Sequence, residues 1–143
     1  MALLTPSRSA QTILSAEFSW TNADTMVDAA GAVTTFSAAA AHAVDCIRLP
    51  PNAVVVGGEL IVSTAFDGTT NAVIVGDSGS TNRYLGTADR KGAGRTALVP
   101  TGYVGTGEDI RLTSTPTGTT TAGAATLRVQ YIIQTRATEV QAS

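Results

Sequence analysis

The chain has one cysteine, one histidine, one tryptophan and one lysine in 143 residues, and each scarcity removes a class of protein. Cys46 alone cannot close a disulfide within the chain or supply a thiolate pair to a metal. His42 alone leaves any histidine-based catalytic apparatus with a single candidate base. Charged residues are 14% of the sequence and the net charge is −2. Apart from Lys91 the cations are arginines scattered from Arg8 to Arg136, so the basic stripe of a nucleic-acid binder is missing. The low hydrophobicity and high charge of a disordered chain are missing too. No apolar run approaches the roughly 20 residues of a helical membrane span. Met1-Ala2-Leu3-Leu4-Thr5-Pro6 lacks the basic start and the apolar length of a signal peptide. These absences predict a soluble protein made in a cytoplasm, with neither a membrane nor a nucleic acid as partner.

What is present is a cadence of strands and turns from Ala43 to Arg136. Val54 to Phe66 is a long run rich in β-branched residues, with Val54, Val56, Gly58, Leu60, Val62, Thr64 and Phe66 sharing one predicted face. Gly57-Gly58 in its middle predicts a bulge or bend. Asp67-Gly68 predicts a hairpin to the next apolar run, Ala72 to Val75. Near the end, Ala125, Leu127, Val129, Tyr131 and Ile133 alternate with mostly polar residues. Shorter strands are expected at Thr12–Trp20, Thr25–Phe36 in two pieces, Val44–Leu49, Arg95–Val99 and Asp109–Thr115, with Pro50-Pro51-Asn52 as a turn. Gly76 to Gly94 reads as loop, Pro116 to Gly123 as a flexible turn, and the alanines after Ser37 as a turn or one helical turn. About eight short strands at this spacing predict an all-β fold, an antiparallel two-sheet sandwich or a barrel. The expected core places Val56–Phe66 and Ala125–Ile133 on facing sheets. The length suits one domain, residues 12–136, with an N-terminal arm at 1–11 and a C-terminal tail at 137–143.

Candidate chemistry is thin. Gly76-Asp77-Ser78-Gly79 matches the tetrapeptide around a chymotrypsin-like nucleophile, but one histidine and a short chain argue for a plain turn. No hydrolysis is expected from Ser78. His42 and Cys46 lie roughly 13 Å apart along a strand, too far to share a zinc. Glu108-Asp109 points its carboxylates to opposite faces, and Asp67, Asn71 and Asp77 have turn roles rather than calcium-ligand spacing. Gly92-Ala93-Gly94-Arg95-Thr96 lacks the lysine and spacing of a phosphate loop and reads as a mobile surface loop. Trp20, Tyr84, Tyr103 and Tyr131 are too few for a sugar-stacking platform, although one or two suit an interface anchor. No catalytic, cofactor-binding or metal-binding residue is assigned, no cofactor is expected, and the chain is not expected to be an enzyme.

The segment from Ile47-Arg48-Leu49-Pro50 through Gly57-Gly58-Glu59-Leu60-Ile61-Val62 carries a resemblance. It continues in Asp77 to Leu85, in Leu98-Val99-Pro100-Thr101-Gly102-Tyr103 and in Ala124 to Ile132. Together these resemble the jelly-roll cement (head decoration) proteins of tailed bacteriophages, that of a Bordetella phage among them, over roughly the last two-thirds of the chain. The resemblance implies a jelly roll on the outer surface of an icosahedral head. It would bridge neighbouring copies of a major capsid protein and associate with itself as a dimer or trimer. The arms would extend its footprint, and Arg83, Arg95 and Arg136 would reach carboxylates of neighbours. Two other readings remain open: a tail or fibre jelly roll of a phage, and a carbohydrate-binding sandwich with aromatics exposed on a concave face.

Overall fold

The computed structural model describes residues 12–37 and 40–134. The predicted arm at 1–11, the tail at 137–143, Arg136 and two of the alanines after Ser37 lie outside the described residues.

Ten strands follow one another: β1 (Leu14–Thr21), β2 (Thr25–Val27), β3 (Val33–Thr35), β4 (His42–Ile47), β5 (Ala53–Thr64), β6 (Thr70–Gly76), β7 (Leu85–Asp89), β8 (Gly94–Ala97), β9 (Ile110–Thr117) and β10 (Ala124–Ile133). Two four-stranded sheets have the orders β1-β10-β5-β8 and β4-β9-β6-β7, and β2-β3 is a separate hairpin. With that hairpin set aside, the first strand pairs with the last and the pairing nests inward: β1 with β10, β4 with β9, β5 with β8, β6 with β7, all antiparallel. The pairings of β10 with β5 and of β9 with β6 then close the double ribbon on itself. This is the jelly roll, an antiparallel two-sheet sandwich with eight principal strands. Both inner faces join in one core, from Trp20, Leu60, Val62, Leu127 and Val129 on one sheet to Val44, Val73, Val75, Ile110 and Leu112 on the other.

Four expectations change. The bulge lies where predicted, but it switches the inner face. Gln130 pairs with Gly57 and Tyr131 with Val55, so Val56 is left over. Ala53 and Val55 face inward before the bulge, Leu60 and Val62 after it, and Val54 and Val56 turn outward. Gly58 takes φ +139°, and a Cβ there would sit 2.3 Å from the Arg128 carbonyl oxygen. Second, Asp67-Gly68 makes no hairpin. β5 and β6 belong to different sheets, so the turn carries the chain across the sandwich. Third, Leu60 and Leu127 are direct neighbours within one sheet rather than facing across two. Fourth, the expected loops contain strands. β7 pairs with β6 in the Gly76–Gly94 segment, and β9 runs on through Pro116. That proline lies beyond Ser114, the last β9 residue paired by β4, so it breaks no ladder on that side.

Candidate functional site

None of the sequence-derived motifs assembles a reactive centre among the described residues. Ser78 is exposed at a turn whose organiser is Asp77. The Asp77 Oδ1 accepts from the amides of Gly79 and Ser80 at 2.9 and 2.8 Å, and Arg83 grips the same carboxylate through Nε at 2.6 Å and Nη2 at 3.2 Å. A carboxylate committed in this way orients no imidazole. His42 instead shares a hydrogen bond with the Thr34 hydroxyl of β3. Cys46 lies at the irregular step of the β4–β9 register and donates to the Ile110 carbonyl at 3.4 Å. Burial pushes its thiol up to about 12, which leaves almost no thiolate at neutral pH.

The other candidates are stitches between loops. Asp67 accepts from the Thr121 hydroxyl and from the Thr121 and Ala122 amides, joining the β5–β6 crossing to the β9–β10 loop. Glu108 accepts from Tyr103 Oη at 2.8 Å and from the Thr106 hydroxyl and amide at 2.7 Å. The Tyr103 ring lies 3.6 Å from the Arg83 guanidinium carbon, so Asp77, Arg83, Tyr103 and Glu108 form one clasp over two loops. Asp109 keeps only a loose 3.7 Å contact with Arg48. The hydroxyl of Thr121 and then the Ala122 amide lower the Asp67 carboxyl to about 2. The Thr106 hydroxyl and the backbone around it do the same for Glu108, also to about 2. Because both groups are easier to protonate when unfolded, their stabilising effect is present above their ordinary values. It is lost as pH falls from about 4.5 to about 2. Urea midpoints measured across that interval are expected to drop, and Glu108→Gln is expected to flatten part of the drop. A midpoint independent of pH there would contradict the loop stitches.

Arginine is used in four ways. Across the outer face of the first sheet runs a row of alternating sign: Glu17 on β1, Arg128 on β10, Glu59 on β5 and Arg95 on β8. Arg128 reaches Glu17 at 2.7 Å and Glu59 at 2.9 Å, and Glu59 also accepts from Arg95. Ion pairs with partners this exposed add little to stability, so the row defines register more than stability. Of the arginines expected to reach neighbours, Arg83 is turned inward on Asp77 and Arg95 is engaged with Glu59. The side chain of Arg48, on a shallow groove beside Pro50, Pro51 and Gly107, is 90% exposed.

Arg90 is the residue that sequence reasoning missed. Asp89-Arg90-Lys91 looks like a solvated turn, yet Arg90 is 0% exposed. Its Nη2 donates to Asn71 Oδ1 at 2.5 Å and to Ser114 Oγ at 2.6 Å. The guanidinium carbon lies 4.2 Å from the Phe66 ring centroid. No carboxylate pairs with it among the described residues, and burial lowers its pKa to about 10, so it is still a cation at neutral pH. The only signals were indirect: Asn71 and Ser114 at inward positions of apolar strands. Trp20, Phe36, Phe66 and Tyr84 are likewise spent inside. Trp20 and Tyr84 are buried, Trp20 packs 5.5 Å from Phe18 and 5.6 Å from Phe36, and Tyr103 is covered on one face by Arg83. They are not exposed interface anchors.

No protein-family model and no curated protein matches the chain. Solved structures do. A chain of the capsid asymmetric unit of cyanophage Pam1 superposes with a TM-score of 0.59 at 22% identity, covering 93% of this chain and 94% of that one. A chain of the acid-stable capsid of Helicobacter pylori bacteriophage KHP30 gives 0.59 at 18% identity over 93% and 100%. A chain of the capsid of Ralstonia phage GP4 gives 0.58 at 18% over 94% and 93%. The fold of this protein, over more than nine-tenths of its length, is thus one also found in chains of phage capsid structures.

Proposed function

We propose that the protein is a structural component of a phage virion, a capsid cement protein that binds the outside of the head and ties neighbouring copies of the major capsid protein together. The observation that carries this reading is the shared jelly roll, which covers over nine-tenths of this chain and of the capsid chains it resembles. The loop contacts support it: polar side chains that looked chemical, such as Asp67, Asp77 and Glu108, are spent in hydrogen bonds that tie loops together. Rigidity is what a clamp needs, and many weakly bound copies on one shell reinforce each other because later contacts become effectively intramolecular. In this reading the protein needs no cofactor and performs no catalysis, it assembles with its own copies, and residues 1–11 and 137–143 are arms that widen its footprint. The carbohydrate-binding alternative lacks the exposed aromatic face it requires, since Trp20 and Tyr84 are in the core.

The test compares heads carrying the protein with heads lacking it, under heat and osmotic shock, with the protein's copy number on purified heads measured alongside. Loss of the protein is expected to release the genome at a lower temperature, and removal of residues 1–11 to weaken attachment without unfolding the domain. Equal survival of both kinds of head, with no protein on the shell, would refute the reading.

A further inference from the structure

Four strands form the sheet edges, and an exposed edge invites pairing with another chain unless it is short, bulged or charged. Three of these edges are guarded. β8 has four residues and is flanked by Lys91 and Pro100. β4 is irregular at Cys46, and the β2–β3 hairpin meets its edge, with the Ala29 amide donating to the Ala43 carbonyl. β7 pairs irregularly with β6 and leads into Asp89-Arg90-Lys91. β1 has none of these devices. It is eight residues long, keeps an unbroken register against β10, and contains neither proline nor lysine. Its one charge, Glu17, is already neutralised by Arg128.

The hydrogen-bond parity of β1 can be read from its end. The Asn22 amide donates to the Gly123 carbonyl in the same register as the strand, so even-numbered residues bond to β10. The N–H and C=O groups of Ser15, Glu17 and Ser19 therefore point away from it. No described strand lies on that side. Those of Thr21 are taken, its amide by the Asp24 carboxylate and its carbonyl by the Asp24 amide. On the inner face Leu14, Ala16 and Phe18 are only half-buried, although all three lie at core positions.

We propose that this edge is the self-association surface of the protein and that β1 of a second copy occupies it, antiparallel about a two-fold axis at Ala16. The register follows from three central choices. An axis at Glu17 sets two carboxylates directly opposite each other, which is repulsive. An axis at Phe18 pairs Ser15 with Thr21, whose backbone groups are already used. An axis at Ala16 pairs Ser15 with Glu17 through their free backbone groups, and sets Leu14 against Phe18 and Ala16 against Ala16. The half-open inner face is thereby completed with its own kind, as an isologous interface requires. The contact is at the small end for a protein dimer, so association is weak in solution and strengthened where copies crowd on a surface. The proposal rests only on the self-association part of the function proposed above.

The experiment uses the purified full chain with no capsid present. Sedimentation velocity is expected to show a monomer–dimer shift with concentration. Ser15→Pro removes one outward amide without touching the β10 ladder, and Ser15→Lys adds an edge charge; each is expected to weaken dimerisation at least tenfold, with an unchanged circular dichroism spectrum and melting temperature. Ala16→Cys is expected to form a disulfide-linked dimer under mild oxidation, because opposed residues of a non-hydrogen-bonded pair lie close enough, while Phe18→Cys does not. A chain that stays monomeric at every soluble concentration, a dimer indifferent to both Ser15 variants, or linkage through Phe18→Cys instead of Ala16→Cys would each overturn the assignment. None of these results bears on whether the protein binds heads, which the shock experiment reads separately.

Discussion

Asn71→Ala is expected to cost about 1.5–3 kcal/mol of folding stability, because it removes one of the two side-chain acceptors of a buried cation. In the parent protein Asn71 Oδ1 accepts from Arg90 Nη2, and the Asn71 carbonyl accepts from the Arg90 backbone amide at 2.9 Å. Alanine keeps the carbonyl and deletes the side-chain acceptor. Arg90 is 0% exposed, and its Nη1 already has no partner among the described residues, so the guanidinium cannot exchange the lost bond for water without opening the core. Asn71 also donates to Thr120 Oγ1 at 3.3 Å, which loosens with it. The complementary variant is Arg90→Met combined with Asn71→Leu and Ser114→Ala, which removes the charge and both of its acceptors together. Apolar replacement of a complete buried polar set is often neutral or stabilising, so this triple variant is expected to return to within about 1–2 kcal/mol of the parent. Urea titrations at constant slope measure both. A loss below about 1 kcal/mol for Asn71→Ala would show that the guanidinium reaches solvent.

Leu60→Ala and Leu127→Ala are each expected to cost about 2–5 kcal/mol, the range for a buried leucine that leaves a cavity. The two side chains are 1% and 0% exposed and sit opposite each other on β5 and β10. Because they adjoin, the second truncation enlarges a cavity that already exists, so the double variant is expected to lose less than the sum of the singles. Val56→Ala on the same strand is the control. Val56 is 37% exposed beside the bulge, and its truncation is expected to cost under about 1 kcal/mol. Thermal melts distinguish these, since a kcal/mol moves the midpoint of a domain this size by roughly 2–8 °C. A Val56 effect equal to that of Leu60 would mean that the inner face does not switch at the bulge.

The strands that were legible are those whose evidence is local. Ala125 to Ile133 alternates without a break and forms β10 with its odd residues inward, and the β-branched run from Val54 forms β5. β7 was not legible, because Leu85-Gly86-Thr87-Ala88-Asp89 has two inward residues, Leu85 and Ala88, that fail to alternate across its irregular pairing with β6. Nothing in the candidate motifs marked Arg90, since a lone arginine between an aspartate and a lysine looks the same whether it is solvated or enclosed.

By itself the sequence determined that the protein is built of strands, that Cys46 cannot close a disulfide within the chain, and where its long β-branched run and its bulge lie. Each of these depends on residue type and on a two-residue period, both of which are properties of neighbours in the chain. The tertiary structure alone decided which strands pair and which sheet each joins. It made Asp67-Gly68 a crossing between sheets, turned Val54 and Val56 outward, enclosed Arg90 and left the β1 edge without a partner strand among the described residues. Those outcomes depend on contacts between residues far apart in sequence, such as Asn71 with Ser114 around one guanidinium or Glu17 with Arg128 across a ladder. A hydrogen bond or a burial is made between two partners, and only folding brings the second one into reach.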